Sequence, residues 1–373
     1  MTTTLQKKAT QSFIQLSQGT PDLPTPRHAI DAVEEFLRSG TVYYTFHDGM
    51  PELRAAISRK LKRENQLVYD PESEIIVTAG AQEAMFVALF GTLNPGDEVI
   101  VADPRYRVYD EVIAMIGGVV VSVPVDIQSG FSMRPDAIEA AITDRTKAIL
   151  VISPDHPSGA AQSRDVLAAI GEVAKRHDLL IYSDELYERF MFDGVQHVST
   201  ASIPGLKDRT LTLNGFSKAY SMTGWRVGYL CVPAGMKPAL TAIKHATSIC
   251  AAAPSQIAAL AVLEGPQQPL VDMMNEWGRR RAYIYERLAQ IGIQTLRTPG
   301  AYFVLFDITP SGLSSAEFAK RLAAEEGVRV SPGTSFGPSG EGLARASFMT
   351  PMHELEEGFV RLERFWRRLT SDS

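Results

Sequence analysis

From about residue 74 the chain repeats one pattern. Short apolar runs rich in β-branched residues, at Glu74–Thr78, Glu98–Ala102, Val119–Val123, Ala148–Ser153, Leu179–Ser183, Thr210–Leu213 and Val227–Val232, alternate with stretches of helical periodicity. This alternation predicts an α/β fold in which a seven-stranded, mainly parallel sheet is flanked by helices. The runs are more apolar than half-exposed strands would be, so both sheet faces are expected to be buried. After about residue 235 a long helical stretch continues through Ala289. Strand-like alternation at Gln294–Ile308, a helix near Ser315–Glu326, a short strand at Val328–Val330 and an amphipathic helix from Glu354 follow. These last elements read as a smaller α+β domain. The expected organisation is an N-terminal segment, residues 1–40, packing with that small domain; a large domain, residues 41–284; and the small domain itself, residues 285–373.

In sheets of this kind ligands collect beyond the C-terminal strand ends. Polar residues stand at nearly every such end here: Gly80–Gln82, Asp103–Tyr106, Asp155–Gly159, Asp184–Tyr187 and Ser217–Lys218. The composition narrows the classes of partner. A formal charge of −6 with interleaved signs offers no basic face to a nucleic acid. No apolar run approaches the ~18 residues of a membrane span, and the first residues lack the apolar core of a signal peptide, so a soluble chain is expected. Cys231 and Cys250 are the two cysteines of 373 residues, no disulfide framework, which fits a reduced, cytoplasmic location. No His and Cys spacing resembles a metal site.

Several strand-end residues carry chemistry. Lys218 follows an apolar strand and precedes a glycine turn; a partly desolvated amine there can attack a carbonyl and form an imine, or it is simply a loop lysine. The Asp184 carboxylate emerges after Leu179–Ser183, with Tyr187 one turn on. It can hold a pyridine nitrogen protonated, or serve only as a helix N-cap. The small residues around Gly80, Ala81 and Gln82 leave backbone N–H groups free for an anion at a helix N-terminus, although small residues there also ease packing. Arg226 can clamp the same anion. Tyr106 can stack on a planar ring or merely cap the core. Arg345, a lone cation in a small-residue strand, suits bidentate binding of a substrate carboxylate, or makes a surface ion pair.

Together these segments resemble the class I/II aminotransferases, the fold-type I enzymes dependent on pyridoxal 5'-phosphate (PLP) and typified by aspartate aminotransferase. The resemblance runs nearly end to end, from Leu16–Asp22 to Arg345–Phe348. The run Ser217–Gly228 (SKAYSMTGWRVG) matches the family's lysine motif in full, implying that Ser217 and Lys218 lie at the cofactor and that Lys218 carries it as a Schiff base. By the same resemblance Asp184 contacts the pyridine nitrogen and Tyr187 the ring hydroxyl. Gly80, Ala81, Gln82 and Arg226 correspond to phosphate contacts, Tyr106 to the stacking aromatic and Arg345 to the grip on the α-carboxylate. Gly19 lies in the N-terminal segment lining the substrate pocket. The Tyr44–Arg54 segment is similar to one whose tyrosine reaches the neighbouring subunit's phosphate, so a homodimer with Tyr44 in the partner's site is implied. His47 and His245 fall in segments near that site.

One position departs from the family. His156 in His156-Pro157-Ser158-Gly159 stands where an asparagine usually bonds the ring hydroxyl and helps hold the carboxylate. An imidazole can make one such bond, and it can also titrate near neutral pH and act as an acid or base. The expected activity is transamination of an L-amino acid to a 2-oxo acid. The departure at His156 raises the alternative of cyclisation, elimination, replacement or oxidation through the same Cα carbanion. A non-enzymatic regulator that kept the fold is a third reading, disfavoured by the intact lysine motif. The sequence does not select the amino acid.

Overall fold

The computed structural model describes residues 13–370; residues 1–12 of the expected N-terminal segment, and 371–373, lie outside the described residues. Among the described residues twelve strands run in chain order: β1 (Ile14–Gln15), β2 (Ile75–Thr78), β3 (Glu98–Asp103), β4 (Val119–Pro124), β5 (Thr146–Ile152), β6 (Leu180–Asp184), β7 (Thr210–Gly215), β8 (Gly228–Cys231), β9 (Phe303–Asp307), β10 (Val328–Arg329), β11 (Ser331–Pro332) and β12 (Leu343–Ser347). The seven apolar runs become one seven-stranded sheet of order β2-β8-β7-β6-β5-β3-β4. All its neighbours pair in parallel except those of β8, which is antiparallel to β2 and β7. The connection from β7 to β8 contains no α-helix to carry the chain across the sheet, so the strand returns beside its predecessor.

The sheet faces are shared among three cores, the largest of which takes Ile75, Val77, Tyr229 and Cys231 of β2 and β8. Ile76, Val99, Leu150 and Tyr182 pack under the helices Ala81–Phe90 and Val108–Met115, whereas Ile100, Ile149, Val151 and Ile181 pack against the helix Arg164–Arg176. Burial on both faces holds for the inner strands. It fails for β4, an edge strand whose Val119 is exposed, but not for the other edge strand, β2, which is buried along its whole length.

The long helical stretch is three helices, Lys237–Ser248, Ala253–Glu264 and Gln268–Ile291, each with a proline in its first turn. Proline is compatible with a helix start because that turn's N–H has no intrahelical partner. The strand-like region before Ile308 contributes β9 and two isolated bridges, Thr295 to Phe306 and Gly300 to Met191; Ala301, at φ 53°, breaks the extended backbone before β9. Strands β11, β12 and β9 form an antiparallel sheet. Beside it, β1 pairs in parallel with β10, and Leu16 O accepts the Ser347 N–H at 2.7 Å. Residues 14–17 are thereby fixed against the C-terminal strands, facing the ends of the large sheet.

Candidate active site

A cavity of about 380 Å³ opens beyond the C-terminal ends of β5, β6 and β7. Gly19, Ala81, Gln82, Tyr106, His156, Asp184, Tyr187, Ser217, Lys218 and Arg226 all line it, although they are spread over some two hundred positions of the chain. Three expected site residues do not line it. Gly80 sits directly behind Arg226 and Arg345 directly behind His156, while Tyr44 is 79% exposed and lies away from the cavity of its own chain.

At one end the backbone builds an anion cradle. Gly80, at φ 82°, turns the chain from β2 into the helix Ala81–Phe90, so the N–H groups of Ala81 and Gln82 belong to an unpaired first turn. A Cβ on Gly80 would stand 2.6 Å from Nη2 of Arg226, so only glycine lets the guanidinium lie this close to the turn. Arg226 donates to Thr223 O at 3.0 Å and has no carboxylate partner among the described residues. Cradle and cation together suit a phosphate.

Asp184, the last residue of β6, accepts the Tyr109 hydroxyl at 2.8 Å and the Leu186 N–H at 3.1 Å. Burial pushes its carboxyl up, against the pull of those two donors. No cation stands within ion-pair distance among the described residues, which leaves its charge available to a protonated ring nitrogen. Lys218 Nζ donates to Gly19 O at 2.8 Å, and the same oxygen accepts the Tyr302 hydroxyl at 2.5 Å. The N-terminal segment thus meets the lysine across the cavity. Tyr187 is buried, its ring 5.2 Å from that of Tyr302, and burial pushes its hydroxyl well above the usual range.

Arg345 is buried on β12 with its guanidinium 4.1 Å from the Phe303 ring centre and 4.6 Å from that of Phe336. Nη2 donates to Ser17 O at 3.0 Å and to Ser331 Oγ at 3.1 Å, and Nη1 meets Nε2 of His156 at 2.9 Å. A guanidinium has no acceptor, so Nε2 presents its lone pair and the proton of the neutral ring sits on Nδ1. Burial, then the charges of Arg345 and Lys218, hold the imidazole well below its ordinary range. The expectation that His156 titrates near neutral pH gives way here, for a second proton would face a guanidinium. Burial pushes Arg345 itself down to about 10.

Sequence reasoning missed several residues of this site. Tyr109 could have been found from its i+3 spacing to Tyr106 at a helix start, and Tyr302 and Phe303 from their place at the head of β9. Asp155, legible only as one of a run of polar strand-end residues, stands beside His156 but does not line the cavity; it accepts the Ser158 N–H at 3.0 Å and the Ser158 hydroxyl, and burial pushes it up to about 6. His47 and His245 touch each other, Nδ1 to Nδ1 at 3.0 Å, but are exposed and line no part of the cavity.

The amine, the unmatched carboxylate and the phosphate-sized cradle therefore fit PLP in one cavity. Comparison with known proteins points the same way. The family described as "Aminotransferase class I and II" matches residues 11–362. An arginine–pyruvate transaminase of Pseudomonas aeruginosa is 40% identical over 357 residues, 94% of this chain and 89% of that one. An aspartate aminotransferase of Pyrococcus abyssi is 36% identical over 359 residues, covering 96% of this chain and 92% of its own. Among solved structures, an aromatic aminotransferase from Pyrococcus horikoshii superposes with a TM-score of 0.93 at 35% identity, over 96% of this chain and 97% of that one.

Proposed function

The chain belongs to the class I and II aminotransferases, PLP-dependent enzymes acting on small amino and oxo acids; from that premise we propose that the cavity transaminates an L-amino acid with Lys218 as anchor and proton carrier. The observation that carries this assignment of roles is that Lys218 and Asp184 face one cavity closed at its end by the cradle of Gly80, Ala81, Gln82 and Arg226. PLP, when bound, supplies an aldehyde that condenses with amines and a pyridinium ring that accepts the electrons left when a bond at Cα breaks.

The cradle and Arg226 hold the phosphate by charge-assisted bonds. Asp184 would keep the ring nitrogen protonated, Tyr106 would stack on the ring, and Tyr187 and the Nδ1–H of His156 would be donors for the ring hydroxyl. Arg345, which lies behind His156, would bind the α-carboxylate past that imidazole. The Lys218 amine would hold and move the Cα proton at its Nζ, as the general base and acid of the site. His156, neutral and bonded to Arg345, has the place of a hydrogen-bonding residue and not of an acid or base, and nothing favours cyclisation, elimination, replacement or oxidation.

Tyr44, with Val42, Tyr43 and Phe46, is an exposed apolar run that suits cover by a second copy, which supports the reading of a homodimer with Tyr44 reaching the neighbouring site. Residues 41–284 would form the PLP-binding domain and 285–373, with 1–40, the small domain. No helix among the described residues is long and apolar enough to cross a membrane, consistent with a cytoplasmic enzyme. The relatives' names span aspartate, aromatic and arginine substrates, so the family does not by itself select one.

Absorbance spectroscopy of the PLP-loaded protein tests the roles. One amino acid should bleach the visible band and yield a stoichiometric 2-oxo acid. Lys218→Ala should lower the turnover by about 10²–10⁴-fold. Undiminished turnover in that variant would overturn the assignment.

A further inference from the structure

The two oxygens of Asp184 are engaged differently. Oδ1 accepts a backbone N–H, from Leu186 at 3.1 Å, which nearly any residue at 186 would provide. Oδ2 accepts a side-chain hydroxyl, from Tyr109 at 2.8 Å. Tyr109 is 1% exposed, lies in the first turn of the helix Val108–Met115 and packs edge-on against Tyr106 with ring centres 6.3 Å apart, so its hydroxyl is fixed in position. A hydroxyl donating to a carboxylate favours the charged form and restrains its plane. Burial acts on Asp184 in the opposite sense. The hydroxyl's own proton is held well above its usual range, first by burial and then by Asp184, so the donor persists.

We propose that Tyr109 is a positioning residue whose hydroxyl keeps Asp184 ionised and aimed at the cofactor's ring nitrogen, so that the ring stays protonated while Lys218 moves the Cα proton. This rests on the reading of the cavity as a PLP site. The other ionisable groups that act on or are acted on by Asp184 are Lys218, Glu185, Asp155, Tyr106 and Tyr187. Among the described residues only Tyr109 gives it a side-chain hydrogen bond.

The test is Tyr109→Phe in the PLP-loaded enzyme, since phenylalanine keeps the buried ring. The kcat should fall about ten- to hundred-fold, the span of one hydrogen bond to a charged group, with the KM for the amino acid nearly unchanged. The nitrogen NMR resonance of ring-labelled PLP should shift toward the unprotonated position as pH rises above neutrality, where the parent enzyme's does not. In an Asp184→Asn background, the same change should have little further effect on kcat. A ring-nitrogen resonance that Tyr109→Phe leaves unchanged overturns the proposal, whatever happens to kcat, and so do fully additive losses in the double variant. A parent protein that binds no PLP or makes no 2-oxo acid overturns the cavity reading together with this one, and shows itself before any variant is made.

Discussion

The charges beside the helix Pro51–Lys60 and those around the cavity are both buried, yet they are built in opposite ways. Near the helix, Lys60 is paired with Glu188 and Arg54 with Asp48 and Glu72. Farther off, Arg280 meets Asp22 at 2.8 Å and Glu276 at 2.7 Å. Even the close group of Glu185, Glu188 and His197, within 4.8 Å of one another, has the Lys60 ammonium at its edge. Around the cavity Asp184, on its lining, and Asp155 and Arg345, beside His156, touch neutral partners only: a tyrosine, a serine, and an imidazole with a serine and a carbonyl.

Protonation follows this difference. Burial pushes Glu188 up, but Lys60 and its neighbours bring it down to about 2; Asp155, equally buried, is left at about 6. A matched buried charge is neutralised within the fold, whereas an unmatched one costs the fold free energy that a ligand of opposite charge can offset.

Removing one member of a matched pair should break the contrast most severely. Lys60→Met leaves Glu188 buried without its cation and should cost about 3–5 kcal/mol in urea denaturation, mostly regained in Lys60→Met/Glu188→Leu. A loss under about 1 kcal/mol would mean that the pair is solvent-screened.

Asp155 sharpens the contrast through pH. Its folded carboxyl sits at about 6 and the unfolded one near its ordinary 3.8, so the folded chain binds the extra proton between those values. Stability from this group is full at low pH and is lost as pH rises through about 6, by at most about 3 kcal/mol. Asp155→Asn should flatten that part of the stability–pH curve, and an unaltered curve would show that the carboxyl is hydrated. The smallest effect is expected at Asp184. In cofactor-free protein, Asp184→Asn removes an unmatched charge and should raise stability by about 1 kcal/mol while weakening PLP binding. Destabilisation instead would place Asp184 among the structural charges.

Much of the fold was legible because its signals are local. Seven apolar runs named seven strands, and the strand-end rule put Ala81, Asp184, His156 and Lys218 on one rim. The pairing order was not legible: β3 lies between β5 and β4, and β8 runs against its neighbours, choices made by packing across distant segments. The proline-marked helix starts at Pro238, Pro254 and Pro269 were present in the sequence but were masked by continuous helical periodicity.

By itself the sequence determined which chemical groups reach the sheet edge, because strand length, glycine turns and motif spacing are short-range properties of the chain. Only the tertiary structure decided their electrical state. Tyr109 meets Asp184 across 75 residues and Arg345 meets His156 across 189, and whether a buried charge finds a counter-ion or only a dipole depends on such long-range approaches and on the water they exclude.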